Sequence, residues 1–431
     1  MDKIKILVTA STFPRFQNDS APRFILDICK SIESNSNFEC LVLSPHSEGS
    51  AVNEVLEGIK VKRYRYMYPC CLEEISGMGM VTKIRKNRLL LLMVPFFIIS
   101  QIISTIITIK NYKPDILIAN WIIPQGFIAY IMKLIFPGLK VIMVARGGDI
   151  GLIQNSSVLK IVSRFILRKA DRIISVSNFL KNRIMEISGL NKDKIYVISS
   201  GVDIDIFEQA RLKKSEENVP AKRNILFIGR LEEKKGINYL LKALTRVVKI
   251  YPDVKLTITG DGSEKEYLMK LTQELELSDN VRFQGAVEHG KIPVFFQEAL
   301  LFAAPSINLN YDIEGLPTII MEAIAAKVPV ITTDAGGIND IVENNVTGII
   351  VNQRNSEELA EKIIYLIENE KIRRELSDKA FYRLLEDFTC SRVGEKYQLV
   401  LNELIKEKNC YSFDSSASDI PDHRRHNKTC P

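Results

Sequence analysis

At 431 residues, the chain is long for one hydrophobic core and long enough for two. Hydrophobic residues make up 46% of the sequence and charged residues 26%, which indicates an ordinary folded protein. The net charge of +6 is too modest to argue by itself for a nucleic-acid-binding protein, and we expect no nucleic acid partner.

The chain opens with MDKIKILVTA, which runs straight into a strand-like apolar segment and lacks the apolar core and cleavage site of a signal peptide. Its seven cysteines are odd in number and show no CxxC spacing, so zinc and disulfide sites are both poor interpretations. Such cysteines fit a reducing compartment better, and we expect a cytoplasmic protein.

Up to residue 205, short apolar runs alternate with stretches of helical periodicity. The predicted strands are Ile4–Thr9, Cys40–Leu43, Ile59–Tyr66, Asp115–Ala119, Val141–Ala145, Ile173–Val176 and Ile195–Ser199. The predicted helices are Pro22–Ser34, Leu89–Ile109, Gln125–Phe136, Val158–Lys169 and Asn178–Ile187. This alternation predicts a parallel sheet with helices on both faces.

The stretch Leu89–Ile109 is almost entirely apolar and long enough to span a bilayer. Strand-like runs precede and follow it, so a spanning helix would put two parts of one sheet on opposite sides of a membrane. The stretch also contains polar residues, which are Ser100, Gln101, Ser104, Thr105 and Thr108. We therefore predict a helix that is buried or lies at a membrane interface.

Residues 206–223 are mostly polar and charged and are predicted to be a linker, after which the alternation restarts. The strands predicted next are Ile225–Gly229, Lys255–Thr259, Val281–Phe283, Leu301–Ala303, Val330–Thr332 and Gly348–Val351. The helices between and after them are Ile237–Ile250, Glu264–Glu276, Pro317–Ala326 and Glu357–Glu368.

This pattern predicts two Rossmann-like, doubly wound α/β domains that face each other across a cleft, with ligand at the carboxyl ends of the strands. We place the first domain at 1–205 and the second at 224–385. A C-terminal helix at 386–410 is expected to cross back to the first domain, and 411–431 are expected to be a disordered tail.

Two carboxylates stand close together in the run from Glu314 to Ala323. Pro317 suits the first turn of a helix there, since its missing N–H costs nothing at that position. The start of such a helix is a ready site for a phosphate, with Glu314 at its mouth and Glu322 about one and a half turns inside. Phosphates and hydroxyls together suggest a nucleotide-sugar as the ligand.

Glycine and cations follow the predicted strands of the second domain. The first strand ends in Gly229-Arg230, and Lys235 comes five residues later. The two side chains suit a diphosphate, which the forked guanidinium of arginine and the point charge of lysine would hold together. A solvated basic loop is the alternative for this segment taken alone. Two further strand ends carry glycines, namely Gly260 with Gly262 and Gly336 with Gly337, and these let backbone approach a ligand closely.

These pieces resemble the nucleotide-sugar domain of the family 4 glycosyltransferases, which have the GT-B fold. Over residues 224–352 the matching segments agree in order and spacing, and the first domain matches more loosely. The strong matches are Gly229-Arg230-Leu231, Lys235-Gly236, Thr259-Gly260-Asp261-Gly262, Glu314–Ala323, Gly336-Gly337 and Thr347-Gly348. The looser matches include Phe13-Pro14, Lys113-Pro114-Asp115, Arg146-Gly147-Gly148-Asp149 and Ser200-Gly201-Val202-Asp203.

The resemblance implies a role for each matched residue. Arg230 and Lys235 would bind the donor diphosphate, and Glu314 would contact the donor sugar. Glu322 would take the ribose hydroxyls. Further donor contacts would come from Gly229, Gly260, Gly315, Leu316, Pro317 and Thr318. The family retains anomeric configuration and needs neither a metal nor a cofactor, so catalysis would consist of stabilising charge on the departing UDP or GDP.

Some positions depart from the family pattern. Arg146 stands where many relatives have histidine, and it is expected on the acceptor side together with Asp149. Arg146 would touch donor phosphate or an acidic acceptor, and a salt bridge with Asp149 is the structural alternative. Asp203 and Asp205 form a DxD pattern, but they lie in a domain-end loop, so we expect no metal there.

Basic residues suggest contact with a membrane. Four cations, Lys83, Arg85, Lys86 and Arg88, immediately precede the apolar stretch. Three more, Lys160, Arg164 and Arg168, form one stripe on a first-domain helix, for which a solvated charged face is the alternative. The hypothesis is that the first domain docks on the inner membrane surface to reach a polyprenol-linked or other glycan acceptor.

The leading function is a retaining sugar transferase in surface polysaccharide biosynthesis. Alternatives are a nucleotide-sugar epimerase or hydrolase on the same fold and a catalytically silent scaffold protein. A dinucleotide dehydrogenase is disfavoured because the first strand leads into Thr9-Ala10-Ser11-Thr12-Phe13 rather than GxGxxG.

Overall fold

The computed structural model of the chain describes residues 3–19, 21–76, 83–84, 87–216, 223–309 and 311–416. The strands of its first half are β1 (Ile4–Thr9), β2 (Phe38–Pro45), β3 (Asn53–Leu56), β4 (Ile59–Tyr64), β5 (Ile116–Asn120), β6 (Lys140–Ala145), β7 (Arg172–Ser175) and β8 (Ile195–Val197). They form one sheet in the order β3-β4-β2-β1-β5-β6-β7-β8, which is parallel except for the β3–β4 hairpin.

The helices of this half are α1 (Phe24–Glu33), α2 (Val94–Tyr112), α3 (Phe127–Ile135), α4 (Gly148–Gln154), α5 (Ser157–Lys169) and α6 (Asn178–Ser188). The α1 connection runs from β1 towards the β3 edge, whereas α2, α3, α5 and α6 belong to connections that run towards the β8 edge. Because such crossovers are right-handed, α1 lies on one face of the sheet and the other four helices lie on the opposite face.

The second half repeats this plan with six strands. They are β9 (Asn224–Ile228), β10 (Lys255–Thr259), β11 (Val281–Gly285), β12 (Leu301–Ala304), β13 (Val330–Thr333) and β14 (Ile349–Val351). The sheet order is β11-β10-β9-β12-β13-β14, and every neighbouring pair is parallel. The helices are α7 (Glu208–Glu216), α8 (Ile237–Ile250), α9 (Lys265–Glu274), α10 (Ile292–Glu298), α11 (Thr318–Ala325), α12 (Ser356–Glu368), α13 (Glu370–Asp387) and α14 (Cys390–Ser416).

Alternation along the strands divides the apolar side chains of the second sheet between its two faces. Ile225 and Phe227 belong to one buried cluster, whereas Leu226 and Ile228 belong to the other. The first sheet is buried through its middle, since every residue of β5 is buried. Two parallel sheets, each covered by helices on both faces, confirm the predicted fold class.

Several segments differ from the sequence-based expectation. The hairpin strand β3 was not predicted, because it is a short edge strand in which only Leu56 is buried. The stretch 206–223, predicted as a linker, is largely the helix α7 in its described part. The helix α14 continues to Ser416 and so includes the first residues of the predicted tail; residues 417–431 lie outside the described residues.

The apolar stretch forms a 3₁₀ turn at Arg88–Met93 followed by α2. By length and composition, Arg88–Tyr112 could cross a membrane, but only 22% of its most apolar window is buried within the protein. The strands before and after it, β4 and β5, belong to the same sheet. The helix therefore lies along the outside of the first domain and is not a core helix.

The C-terminal helix joins the two halves. α13 belongs to the second domain, and the chain then passes through Thr389, which pairs with Val202 of the first half in an isolated bridge. α14 packs against α1. The Gln398 amide donates hydrogen bonds to the carbonyls of Ser31 and Ile32 at 3.1 and 3.2 Å.

Candidate active site

The strand ends of the second sheet converge because all six strands run in the same direction. The amide of Gly229 donates to the Thr259 carbonyl at 3.0 Å, and the amide of Gly260 donates to the Gly285 carbonyl at 2.8 Å. Gly260 has a φ of +138°, and a Cβ there would lie 1.9 Å from the Gly229 carbonyl oxygen. Glycine is thus required here because one strand end packs on the next.

Lys235 and Glu314 form the central ion pair of the site. Lys235 ends a 3₁₀ turn that follows β9, and its Nζ donates to Glu314 Oε2 at 2.6 Å. Both side chains are only about a tenth exposed, at 13% and 11%. Burial opposes ionisation of Glu314, but the charges of Lys235 and Lys234 outweigh it and lower the pKa of this carboxyl to about 2.

Two more cations lie beside this pair. Lys234 is buried, and its Nζ donates to Asp312 Oδ1 at 2.9 Å. The Arg230 guanidinium donates to Glu232 Oε1 at 2.7 Å, and its charge also lowers the pKa of Glu314. Three positive side chains that follow one strand therefore act on the buried carboxylate of Glu314, and two of them are also paired with carboxylates of their own.

A cleft of about 240 Å³ adjoins these strand ends and is lined by both halves of the chain. Among the residues predicted for the site, the cleft is lined by Gly229, Arg230, Gly260, Thr318 and Glu322. The first half contributes a wall from Ala21 to Asp27. Within the described ranges, the other predicted residues lie outside this lining; these are Lys235, Glu314, Gly315, Leu316, Pro317, Arg146 and Asp149.

Glu322 presents its carboxylate to the cleft from α11. The side chain is buried, its Oε1 lies 3.4 Å from His289 Nε2, and its Oε2 has no hydrogen-bond partner among the described residues. Burial opposes protonation of the imidazole, but the carboxylate outweighs it and raises the pKa of His289. A buried carboxylate oxygen without a partner, beside a cleft, is free to accept a hydrogen bond from a bound molecule.

The loop that carries Glu314 approaches the first half closely. A Cβ at Gly315 would lie 2.2 Å from the carbonyl oxygen of Arg146, so only glycine permits this approach. Pro317 is the residue before α11 rather than its first residue. The start of α11 nevertheless faces the cleft, since Thr318 and Ile319 both line it.

Arg146 and Asp149 do not form the side-chain salt bridge that was the alternative interpretation of this motif. The Asp149 carboxylate accepts from the backbone amides of Ile122, Gly147 and Arg146 at 2.8, 2.9 and 3.2 Å. Asp149 is buried, holds the loop after β6 and does not line the cleft.

The Arg146 guanidinium instead donates to Asn120 Oδ1 at 2.7 Å and to Ser200 Oγ at 3.3 Å. It stacks over the ring of Phe24 at 4.7 Å, and Phe24 lines the cleft. Arg146 is therefore fixed behind the first-domain wall, one side chain away from the cleft.

Sequence reasoning missed His289 and the α1 wall. His289 could have been predicted, because it follows β11, and the loop after any parallel strand of the second sheet lies at the same edge of that sheet. Asp27 on α1 and Arg23 just before it belong to the other domain, and no spacing within either motif indicates that they line the same cleft as Glu322. Burial raises the pKa of Asp27, while Arg23, at 3.2 Å, opposes that rise.

The described residues contain no group of three or more histidine, cysteine, aspartate or glutamate side chains that could hold a metal ion. Asp203 lines the cleft, and its Oδ1 accepts from the amide of Asp205 at 3.1 Å. The DxD pattern thus uses one carboxylate to shape its own loop.

Two family models match the chain. The model described as Glycosyltransferase Family 4 matches residues 21–206, and the model described as Glycosyl transferases group 1 matches residues 208–383. The change from one match to the next coincides with the start of α7, between the two sheets.

One relative is N-acetyl-alpha-D-glucosaminyl L-malate synthase from Bacillus anthracis, which is 24% identical over 297 residues, covering 68% of this chain and 76% of that protein. The solved structure of sucrose-phosphate synthase from Thermosynechococcus elongatus has a TM-score of 0.75 at 18% identity, covering 94% of this chain and all of that one (100%). Anabaena HepE in complex with UDP-glucose has a TM-score of 0.69 at 19% identity, covering 93% and 99%. At such identities the solved structures establish the shared fold alone.

Proposed function

The chain belongs to the family 4 glycosyltransferases, and on that premise we propose that it transfers a sugar from a UDP- or GDP-sugar to a glycan or lipid-linked glycan in surface polysaccharide biosynthesis. The transfer retains the anomeric configuration and uses neither a metal ion nor a cofactor. The observation that carries this proposal is the buried Lys235–Glu314 pair beside Arg230, at the glycine-rich ends of β9 and β10.

Each charged group has a task in this reaction. As the bond between sugar and diphosphate breaks, negative charge grows on the departing phosphate oxygens, and Arg230 and Lys235 are positioned to stabilise it. Glu314, held ionised by its pKa of about 2, accepts hydrogen bonds from the hydroxyls of the transferred sugar. The acceptor hydroxyl oxygen forms the new bond to the anomeric carbon as the bond to the diphosphate breaks, and the leaving diphosphate takes the hydroxyl proton, so neither a protein nucleophile nor a protein base is needed.

Glu322 binds the ribose of the donor. Its unpartnered Oε2 and its place in the cleft support this role, since two neighbouring ribose hydroxyls are donors that one carboxylate can accept together. The complex of Anabaena HepE with UDP-glucose supports a uridine diphosphate donor by analogy. Arg146 serves the acceptor side, through Phe24 at the wall of the cleft.

We also propose a cytoplasmic location, at the inner face of the membrane. Cys29 and Cys40 are free thiols in contact with each other inside the first domain, and their contact raises the pKa of Cys40. Two adjacent reduced thiols suit a reducing compartment.

Thermal unfolding of the full chain with UDP-, GDP- and ADP-sugars tests the donor site, because a ligand that binds only the folded protein raises its melting temperature. The donor that stabilises the protein is then incubated with a glycan acceptor, with and without EDTA. We expect a glycosylated product whose new linkage keeps the donor's anomeric configuration, in equal yield with EDTA. Free sugar alone would identify a hydrolase, an isomerised donor an epimerase, and a lack of stabilisation by all three donors would contradict the site.

A further inference from the structure

The helix α2 has its more polar side inward and an apolar side outward. Its buried residues are Phe97, Gln101, Thr105, Thr108 and Ile109, and neither side-chain amide atom of Gln101 has a hydrogen-bond partner among the described residues. Its exposed side carries Phe96, Ile99, Ile103 and Ile107, and Ile99 and Ile103 are 55% and 52% exposed. This is the reverse of a helix on the surface of a water-soluble domain, in which the apolar side faces the core.

The neighbouring helices continue this apolar surface. α2 packs beside α3 and α3 beside α5, and right-handed crossovers place all three on the same face of the first sheet. Each of these helices leaves large apolar side chains exposed, and so does the 3₁₀ turn that precedes α2. We call this set the apolar helix face; it consists of Leu89, Leu91, Leu92, Phe96, Ile99, Ile103, Ile107, Phe127, Leu134, Ile135, Val158, Ile161 and Phe165. So large a contiguous patch marks an interaction surface.

The charge of these three helices indicates what kind of partner covers the apolar helix face. α2, α3 and α5 contain no aspartate or glutamate anywhere along their lengths, but they contain six lysines and arginines, of which Lys133 is paired with Asp171 and the other five are exposed. On α5, Lys160 and Arg164 are exposed next to Ile161 and Phe165. A second copy of this chain would bring cations against cations with no carboxylate on the face to pair them, whereas anionic lipid headgroups would neutralise them.

We propose that the apolar helix face docks on an anionic lipid bilayer, with α2 and α5 lying in the interface and their cations at the level of the headgroups. The helices do not span, because β4 and β5 at the two ends of α2 belong to one sheet. This inference does not depend on the donor site of the proposed function, since none of its residues lines the cleft. It specifies the part of the chain that brings a lipid-linked acceptor to the enzyme.

Flotation of the full chain with vesicles of equal parts phosphatidylcholine and phosphatidylglycerol tests the proposal. We expect wild type to float and the double variant Ile99→Glu, Ile103→Glu to lose binding by at least about tenfold. The matched control is Ile250→Glu, Leu399→Glu, which makes the same charge change at apolar residues of α8 and α14 that are 52% and 65% exposed. The control should float like wild type.

A second pair, Lys160→Ala and Arg164→Ala, should weaken binding about tenfold at low salt and less at high salt, because screening reduces the attraction of exposed cations. Donor-dependent activity on a soluble acceptor should be unchanged in all these variants, which separates this test from that of the proposed function.

Three results would overturn the proposal. In the first, wild type fails to float with anionic vesicles. In the second, the control pair loses as much binding as the α2 pair. In the third, wild type is an oligomer that the α2 pair dissociates and that does not bind vesicles, in which case a protein covers the face.

Discussion

The two sheets of this protein are built alike, yet their functional residues occupy different places. In the second domain, the charged residues stand at the carboxyl ends of strands, where Lys235, Arg230 and Glu314 converge. In the first domain, the unusual surface lies on the backs of helices, where α2, α3 and α5 expose apolar side chains. A doubly wound domain thus offers two independent sites for function, the strand ends and the outer helix faces.

This difference has a physical basis. Strand ends position backbone and short side chains with little freedom, which suits the stabilisation of a developing charge. The outer faces of the helices are wide, and their residues can change without disturbing the sheet, which suits contact with an extended surface. The donor site should therefore respond sharply to single substitutions, and the apolar helix face should respond to the sum of several.

The largest effect should come from Lys235→Ala. Loss of this cation removes one group that stabilises the departing diphosphate, and we expect kcat/KM to fall by about 10²-fold or more. The matched control is Lys327→Ala, which removes a lysine that donates to Asp378 at 2.7 Å elsewhere in the same domain. Circular dichroism checks that both variants are folded, and near-normal turnover in the first would refute the assignment.

Gly315→Ala should separate the two domains without unfolding either. The three atoms nearest to the new Cβ all belong to the first domain, and the Arg146 carbonyl oxygen is the nearest at 2.2 Å. We expect transfer to fall by about tenfold or more because the donor and acceptor sides no longer meet correctly. Gly138→Ala is the control, since a Cβ there has no atom within 4 Å. Equal activity of the two variants would show that close approach of the domains is unnecessary.

Glu322→Gln should affect binding more than chemistry. A neutral amide keeps the shape but weakens the hydrogen bonds to the ribose, and the KM for the donor should rise about tenfold with kcat nearly unchanged. The exposed Glu298→Gln, on α10, is the control. An unchanged donor KM would remove Glu322 from the donor site.

The smallest effect concerns stability, and it compares one carboxylate from each domain. The pKa of Glu57 is lowered to about 2, chiefly by the Arg23 guanidinium, which resembles the value for Glu314. Each depressed pKa contributes stability that is complete above pH 4.5 and is lost as the pH falls towards 2. For Glu314 the loss is about 3 kcal/mol at most, and it is smaller for the more exposed Glu57.

Denaturant unfolding from pH 6 to 3, followed by circular dichroism and by fluorescence of the single tryptophan, Trp121, measures this loss. In Glu57→Gln and Glu314→Gln, the free energy of unfolding should depend less on pH than in wild type. Only Glu314→Gln should also lose transfer activity. If Glu57→Gln lost as much activity, the distinction between a structural and a catalytic carboxylate would fail.

The sheets were predictable because buried parallel strands appear as continuous apolar runs. The predicted bounds of Ile4–Thr9 and Lys255–Thr259 match those of β1 and β10. The edge strand β3 and the short helices α4 and α10 were missed, since each is too short to show a period.

For the candidate site, the spacing of residues within one domain indicated that the cations and carboxylates lie near one another. It could not indicate the α1 wall, because α1 reaches the cleft from the other domain. Periodicity also shows which residues of a helix share a side without showing which side meets the core. On α5 the sequence revealed a basic stripe, whereas the structure adds Val158, Ile161 and Phe165 as exposed neighbours. On α2 the more polar side faces inward, contrary to the usual rule.

The path of the chain after α13 has a mechanical consequence. The polypeptide passes between the domains at two places, once before α7 and once at Thr389, and α14 then fastens onto α1 through Gln398. Because the two crossing segments are hydrogen-bonded to each other through Val202, we expect the cleft to open by a rotation about them rather than by sliding. A chain cut before Cys390 would lose the attachment of α14 and expose the side of α1 that α14 covers. The two domains would then reach their closed arrangement only by diffusion.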